Sequence, residues 1–209
     1  MLLPLPSSDG KLKKRTLNLP DLKQILNYSR HWMKAKGRHG THSPFVYAFV
    51  ERVLRNKNKI RTTQVQALAG WPATWTLRER KLLYKTLYFL KPAQVVLPGD
   101  GTLDWLGALL PGIVPAVAIT HTRQPDPVAN GGQCLLISSA AHITPDRLDA
   151  ALEAGTGVLA LHPHHHLCPQ SKWEALYTDS RVKMSLDYWY FGLLLNDEAF
   201  KHKQHFRLR

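Results

Sequence analysis

The sequence predicts a three-layer α/β domain with a mostly parallel sheet, preceded by a basic helical extension. Three observations carry this reading. From residue 94 onward, short apolar runs alternate with helical or polar segments, the pattern of parallel strands joined by crossover helices. Over 182–208 three strand-like runs follow one another with short connections, which predicts antiparallel pairing at a sheet edge. Finally, charge is gathered at one end. The 209 residues include 28 Lys and Arg against 15 Asp and Glu, a formal net charge of +13, yet residues 1–61 alone hold 14 basic residues against 3 acids, a net +11. Such asymmetry points to an anionic partner.

The rest of the composition narrows the class. A hydrophobic fraction of 44% with 9% aromatics excludes a largely disordered chain. Two cysteines, Cys134 and Cys168, are too few for a disulfide framework, so a reducing, cytoplasmic setting is expected. No apolar run approaches the ~18 residues of a spanning helix. The start MLLPLPSSDG reads as neither signal peptide nor anchor, because no basic region precedes its short apolar stretch.

Taken in order, residues 1–20 are polar, basic and rich in Pro and Ser, and read as a flexible arm. Asp21 caps a helix expected over 21–36, in which Leu22, Ile25, Leu26, Trp32 and Met33 recur near helical spacing, and Gly37 and Gly40 end it. Ser43-Pro44 is a helix start with the hydroxyl at the cap and Pro at the first helical position, and the helix runs to about Arg55. A further helix is expected over 62–69. Thr76 opens another that Pro92 stops. Strands are expected at 94–97, 114–120, 133–138 and 158–161, with helices at 103–110, 145–154 and 169–177. The last strands are expected at 182–188, 191–195 and 204–208. There is no internal repeat and no Walker-type phosphate loop.

Two separated stretches carry a resemblance. GRHGTHSPFVYAFVERVL spans 37–54, and KLLYKTLYFLKPAQVVLPGDGT spans 81–102, followed later by WEAL at 173–176 and RVKMSLDYWYFGLLL at 181–195. In this order they resemble a bacterial family of class I S-adenosylmethionine-dependent methyltransferase-like proteins. Its members begin with an HSPFV helix, enter the first strand from a helix ending in Lys-Pro, and close with a SIDLF…G strand. The resemblance implies a Rossmann-like sheet with a cofactor at the carboxyl ends of the strands, where the strand order reverses.

Position by position, the resemblance also implies departures. Where the family reads Glu-Leu-Gly-Thr-Ser-Leu-Gly, this chain has LPGDGTL (97–103), which keeps Gly99 but puts Leu97 at the acid. The second strand ends in Ile119-Thr120-His121, without the acid that binds the ribose hydroxyls. Only TRQPDPVANGG (122–132) follows, too short for a helix and a strand, so the second βα unit is expected to be truncated. Ser138 replaces the acid of the fourth-strand motif, and Leu161 and His162 replace the paired acids of the fifth, while His164 and Trp173 match. The residues left to contact S-adenosylmethionine are Gly99, Asp100, Gly101, His121 and Ser138. Unmet ribose donors would cost about 1–3 kcal/mol each, so lost or altered catalysis is expected.

Two further constellations bear chemistry. His162, His164, His166 and Cys168 carry imidazole and thiolate groups suited to Zn²⁺, Ni²⁺ or Cu²⁺, with His121 and His142 ending other strands nearby. Their spacing matches no known zinc motif, and successive side chains point different ways. The segment 29–44 interleaves Arg30, Lys34, Lys36, Arg38, His39 and His42 with Trp32, a set that binds phosphates and stacks on bases. There Trp32, Met33, Phe45 and Phe49 are expected to be core. No Ser or Cys nucleophile stands in a recognisable motif, which argues against a hydrolase. The sequence therefore predicts a basic arm (1–20), a basic helical extension (21–75) and a methyltransferase-like α/β domain (76–209). It is expected to bind an anionic partner, RNA before an acidic protein. An active methyltransferase with a remodelled cofactor site is the alternative, and a scaffold using exposed Trp residues a third.

Overall fold

In the computed structural model, residues 22–35, 43–55, 62–122 and 133–209 are described. Residues 1–20, expected as a flexible arm, the residues Lys36, Arg38, His39 and His42, and the segment 123–132, where a truncated βα unit is expected, lie outside the described residues. The elements are α1 (Leu22–Lys34), α2 (Pro44–Phe49), α3 (Thr62–Ala67), α4 (Leu77–Leu90), β1 (Gln94–Pro98), α5 (Asp104–Ile113), β2 (Ala118–Thr122), β3 (Cys134–Ser139), α6 (Pro145–Glu153), β4 (Gly157–Leu161), α7 (Gln170–Thr178), β5 (Met184–Asp187), β6 (Phe191–Leu195) and β7 (Gln204–Arg207).

The seven strands form one sheet in the order β2-β1-β3-β4-β6-β5-β7. Strands β2, β1, β3 and β4 pair in parallel, and β6 runs antiparallel to both β4 and β5. One expectation needs correcting: β7 pairs parallel with β5, so only β6 is reversed at this edge. The reason is the long return from β6 to β7, which crosses past β5 rather than turning in a hairpin.

Burial explains the continuous apolar runs of the strands. Val95, Leu97, Leu135, Ile137, Leu159 and Leu161 face one side and pack with α2, α4 and α5. Val96, Leu136, Val158, Ala160 and Leu194 face the other and pack with Leu148, Ala151 and Leu152 of α6 and Trp173 and Leu176 of α7. Helices on both sides cover the inner strands, so alternation disappears from their sequence, while the edge strands β2 and β7 keep exposed or half-buried residues.

Local signals place the helices. Ser43 accepts from the Val46 amide and Pro44 begins α2. The helix continues through a π turn, Val50–Leu54, closed by the Arg55 amide donating to Val50. Thr76 and Glu79 form a complete capping box on α4, which ends at Lys91 with φ 46° before Pro92. Strand β2 begins at Ala118 rather than 114, because Val114 caps α5 and Ala116 turns the chain at φ 63°. The extension contributes to the main core: Val46, Phe49, Val50 and Val53 are completely buried there.

Candidate functional site

Strand β2 lies on one side of β1 and β3 on the other. The strand order therefore reverses between β1 and β3, where doubly wound sheets place ligands. Gly99, Asp100 and Gly101 form the turn at this point, with Gly101 at φ 78°. The Asp100 carboxylate folds back on Thr102, accepting from its hydroxyl at 2.6 Å and its amide at 3.0 Å. These bonds hold its pKa below the ordinary value. An open cleft there is lined by Gly99, Gly101, Asp104, Gly107 and His121, and His121 Nδ1 lies 3.5 Å from Asp104. Ser138 does not reach this cleft. It is completely buried, and its hydroxyl has no hydrogen-bond partner among the described residues. Leu97 and Leu161, which stand where the resemblance implies carboxylates, are also core residues. Of the sequence-derived cofactor set, the structure gathers Gly99, Gly101 and His121 around the cleft, with Asp100 on its turn.

The histidine loop is divided among different partners. His162, at φ 53°, donates its amide to Tyr190 and pairs its Nε2 with Glu79 at 3.1 Å. Burial would raise the Glu79 carboxyl, but the bond from His162 and those from Thr76 outweigh it and hold it low. Cys168 is buried, its thiol pushed up by desolvation, and His166 contacts the ring of His165. His142 is exposed after β3, and His121 stands on β2 beyond β1, so neither converges with the loop. The expected set of His162, His164, His166 and Cys168 therefore does not share one centre, since successive loop residues face different elements.

His164 instead meets Asp187 at the end of β5. Asp187 is fully buried, and a carboxylate there can only accept. His164 Nε2 donates to both oxygens at 2.9 Å, Trp173 Nε1 to one at 3.0 Å and the Trp189 amide to the other at 3.2 Å. Burial favours the neutral acid, but the bond and charge of His164, with His31 and the Trp173 indole, keep its pKa below the usual value. From α1, His31 Nδ1 approaches Asp187 at 3.7 Å, and desolvation lowers the pKa of this buried imidazole. Trp189, at φ 73°, stacks on His164 with ring centroids 4.7 Å apart. Two non-glycine residues in left-handed conformations, His162 and Trp189, thus flank this cluster, and strain of this kind gathers at functional sites.

Between α1 and α4 lies a cavity of about 460 Å³. Arg78, Lys81 and Lys85 of α4 and Arg209 line it, together with Tyr28, Trp32, Tyr188 and Trp189. Lys85 is only 6% exposed, and no carboxylate among the described residues pairs with it. Desolvation and the charge of Lys81 lower its pKa. Arg209 stacks on Trp32 at 4.4 Å and Arg78 donates to the Tyr28 hydroxyl at 3.2 Å. Trp32 is 52% and Met33 70% exposed, which corrects their expected place in the core, while Phe49 is fully buried as expected. Arg30 and Lys34 of α1 line a neighbouring cleft with Arg207.

Lys85 and Asp187 escape sequence reasoning, and His31 enters it only as one residue of the basic, aromatic segment 29–44. Asp187 carried a usable signal: a lone acid inside the apolar run MSLDYWYFG has to find buried donors.

The pH response has one clear contributor. His205 on β7 stacks on Tyr177 at 4.0 Å and bonds Ser185 Oγ at 2.8 Å, and burial lowers its pKa to about 4. The unfolded chain takes up this proton near 6.5, so between pH 6.5 and about 4 the unfolded state binds more protons and stability falls as pH falls. His205→Phe is expected to flatten this slope, which is worth at most about 3 kcal/mol. Urea denaturation at pH 7 and pH 4.5 checks it, and an unchanged slope would contradict it.

The fold and the site define a mostly parallel α/β domain with a switch-point cleft, a buried His-Asp cluster and a cationic, aromatic-lined cavity. Comparison with family models, curated proteins and solved structures returns no match. No helix among the described residues is long and apolar enough to cross a membrane.

Proposed function

We propose that this chain is a degenerate methyltransferase-like protein that binds single-stranded RNA where its N-terminal helix α1 faces the cations of α4. One observation carries the RNA reading: the cavity between α1 and α4 combines four cations, Arg78, Lys81, Lys85 and Arg209, with the rings of Tyr28 and Trp32. Cations that track phosphates beside aromatic rings that accept bases are what single-stranded nucleic acid needs. Lys85 is the sharpest element, since a nearly buried ammonium without a carboxylate gains most from an incoming phosphate.

The methyltransferase-like part is supported by the strand order. Doubly wound sheets of this type run 3-2-1-4-5, and β2-β1-β3-β4 follows the same order without the outermost strand. Loss of ordinary cofactor binding is supported by the apolar or buried side chains of Leu97, Ser138 and Leu161. The second reading, an active enzyme with a remodelled cofactor site, is favoured by the cleft that Gly99, Gly101, Asp104 and His121 line.

Two measurements separate these readings. A mobility shift with single-stranded RNA is expected at low salt and to weaken steeply as salt rises. Lys85→Glu with Arg78→Glu is expected to abolish it, and no shift at low salt would overturn the RNA reading. Titration with S-adenosylmethionine is expected to show no micromolar binding, whereas micromolar binding would favour the enzyme. Capture of an acidic protein without RNA affinity would redirect the partner assignment.

A further inference from the structure

We infer that His31, His164 and Asp187 form a binding site for one divalent transition-metal ion, Zn²⁺ foremost, between α1 and the carboxyl edge of the sheet. The inference does not rest on RNA binding. One ligand atom from each of the three residues lies within 4.8 Å of the others. The separations from Asp187 are 2.9 Å to His164 Nε2 and 3.7 Å to His31 Nδ1. Ligand atoms on one ion with bonds of about 2.0–2.2 Å lie roughly 3–4 Å apart, so the spacing fits with little movement.

The second observation concerns His31. Its Nε2 is 3.4 Å from the carbonyl of Leu208, which can only accept, so this nitrogen carries the proton. In the neutral ring Nδ1 is then a bare acceptor. It is buried, has no hydrogen-bond partner among the described residues, and faces the Asp187 carboxylate. Two acceptors facing each other in a dry site repel, and a cation between them removes the repulsion. A metal-bound imidazole characteristically donates its other N–H to a carbonyl, as His31 does to Leu208. Trp173 Nε1 and the Trp189 amide fix the carboxylate in the same supporting manner. The ion takes the place of the proton that His164 Nε2 shares with Asp187, and that proton leaves to solvent.

Two imidazoles and one carboxylate suit zinc and the other late first-row divalent ions, and leave coordination positions open. His31 and His164 both line a cleft of about 240 Å³ that gives access to the cluster. Arg30, Lys34 and Arg207 line the same cleft beside Glu174, so the open positions face a surface that attracts an anionic co-ligand.

The test uses the full, untagged chain stripped with a chelator and titrated with Co²⁺. Expected is one Co²⁺ per chain with the visible absorption of a nitrogen-ligated centre, displaced by Zn²⁺. His31→Ala is expected to weaken binding about 100-fold, and His166→Ala to leave it unchanged. X-ray absorption of the zinc-loaded wild type is expected to report two imidazoles, a readout that does not depend on a variant's folding. No micromolar binding, equal binding by His31→Ala, or loss of binding on replacing His165 and His166 would each overturn the assignment.

Discussion

Gly192→Ala is expected to destabilise the domain by about 3 kcal/mol or more, the upper range for overpacking. A Cβ at this position on β6 would stand 2.0 Å from Cη2 of Trp173, 2.6 Å from Cζ2 and 2.8 Å from Cζ3. The indole has nowhere to go. It is completely buried in the layer formed by α6 and α7, and its Nε1 is tied to Asp187 at 3.0 Å. The remedy is equally specific: Trp173→Leu should be less damaging in the Gly192→Ala background than alone, a coupling that a double-mutant cycle in urea measures. A Gly192→Ala variant within 0.5 kcal/mol of wild type would show that the helix α7 yields easily.

Asp187→Ala is expected to cost about 3–5 kcal/mol, the price of breaking a buried charged network from one side. Three donors, His164 Nε2, Trp173 Nε1 and the Trp189 amide, lose their acceptor at once. Asp187→Asn keeps the size and one acceptor oxygen, so it should fall between Ala and wild type. Denaturation at pH 7, where the carboxylate is ionised, gives the ranking, and Asn equal to Ala would mean that volume rather than hydrogen bonding is what matters there.

These two effects also mark how far the sequence could be read. The central strands were legible because each is an apolar run bounded by turn residues, and the helices because Ser43-Pro44, Thr76 with Glu79, and Thr144-Pro145 announce their starts. Parallel pairing and the two-sided core follow from alternation of strands and helices, whereas the strand order is seen only in the structure. The parallel pairing of β7 was not legible, because a short strand states nothing about the direction of its partner. Trp173 and Gly192 could each be noticed, but their contact is a product of how α7 lies across β6. Within the histidine loop His164 meets Asp187, and the residues beside it arrive from α1 and β5, which the loop's own sequence does not announce. Lys85 resembles any exposed helix lysine until α1 covers it.

The tie between His31 and Leu208, with Arg209 laid on Trp32, has a consequence for how the molecule is made. Helix α1 leaves the ribosome before β1 to β6 and Leu208 after them. Domains fold as synthesis proceeds, and β1 to β6 carry most of the core without these residues. The cationic cavity and the His31 corner therefore close only when the end of β7 is in place. A nascent chain released only as far as β6 would hold most of the core and lack this clasp, so the cavity closes after the centre of the sheet has formed.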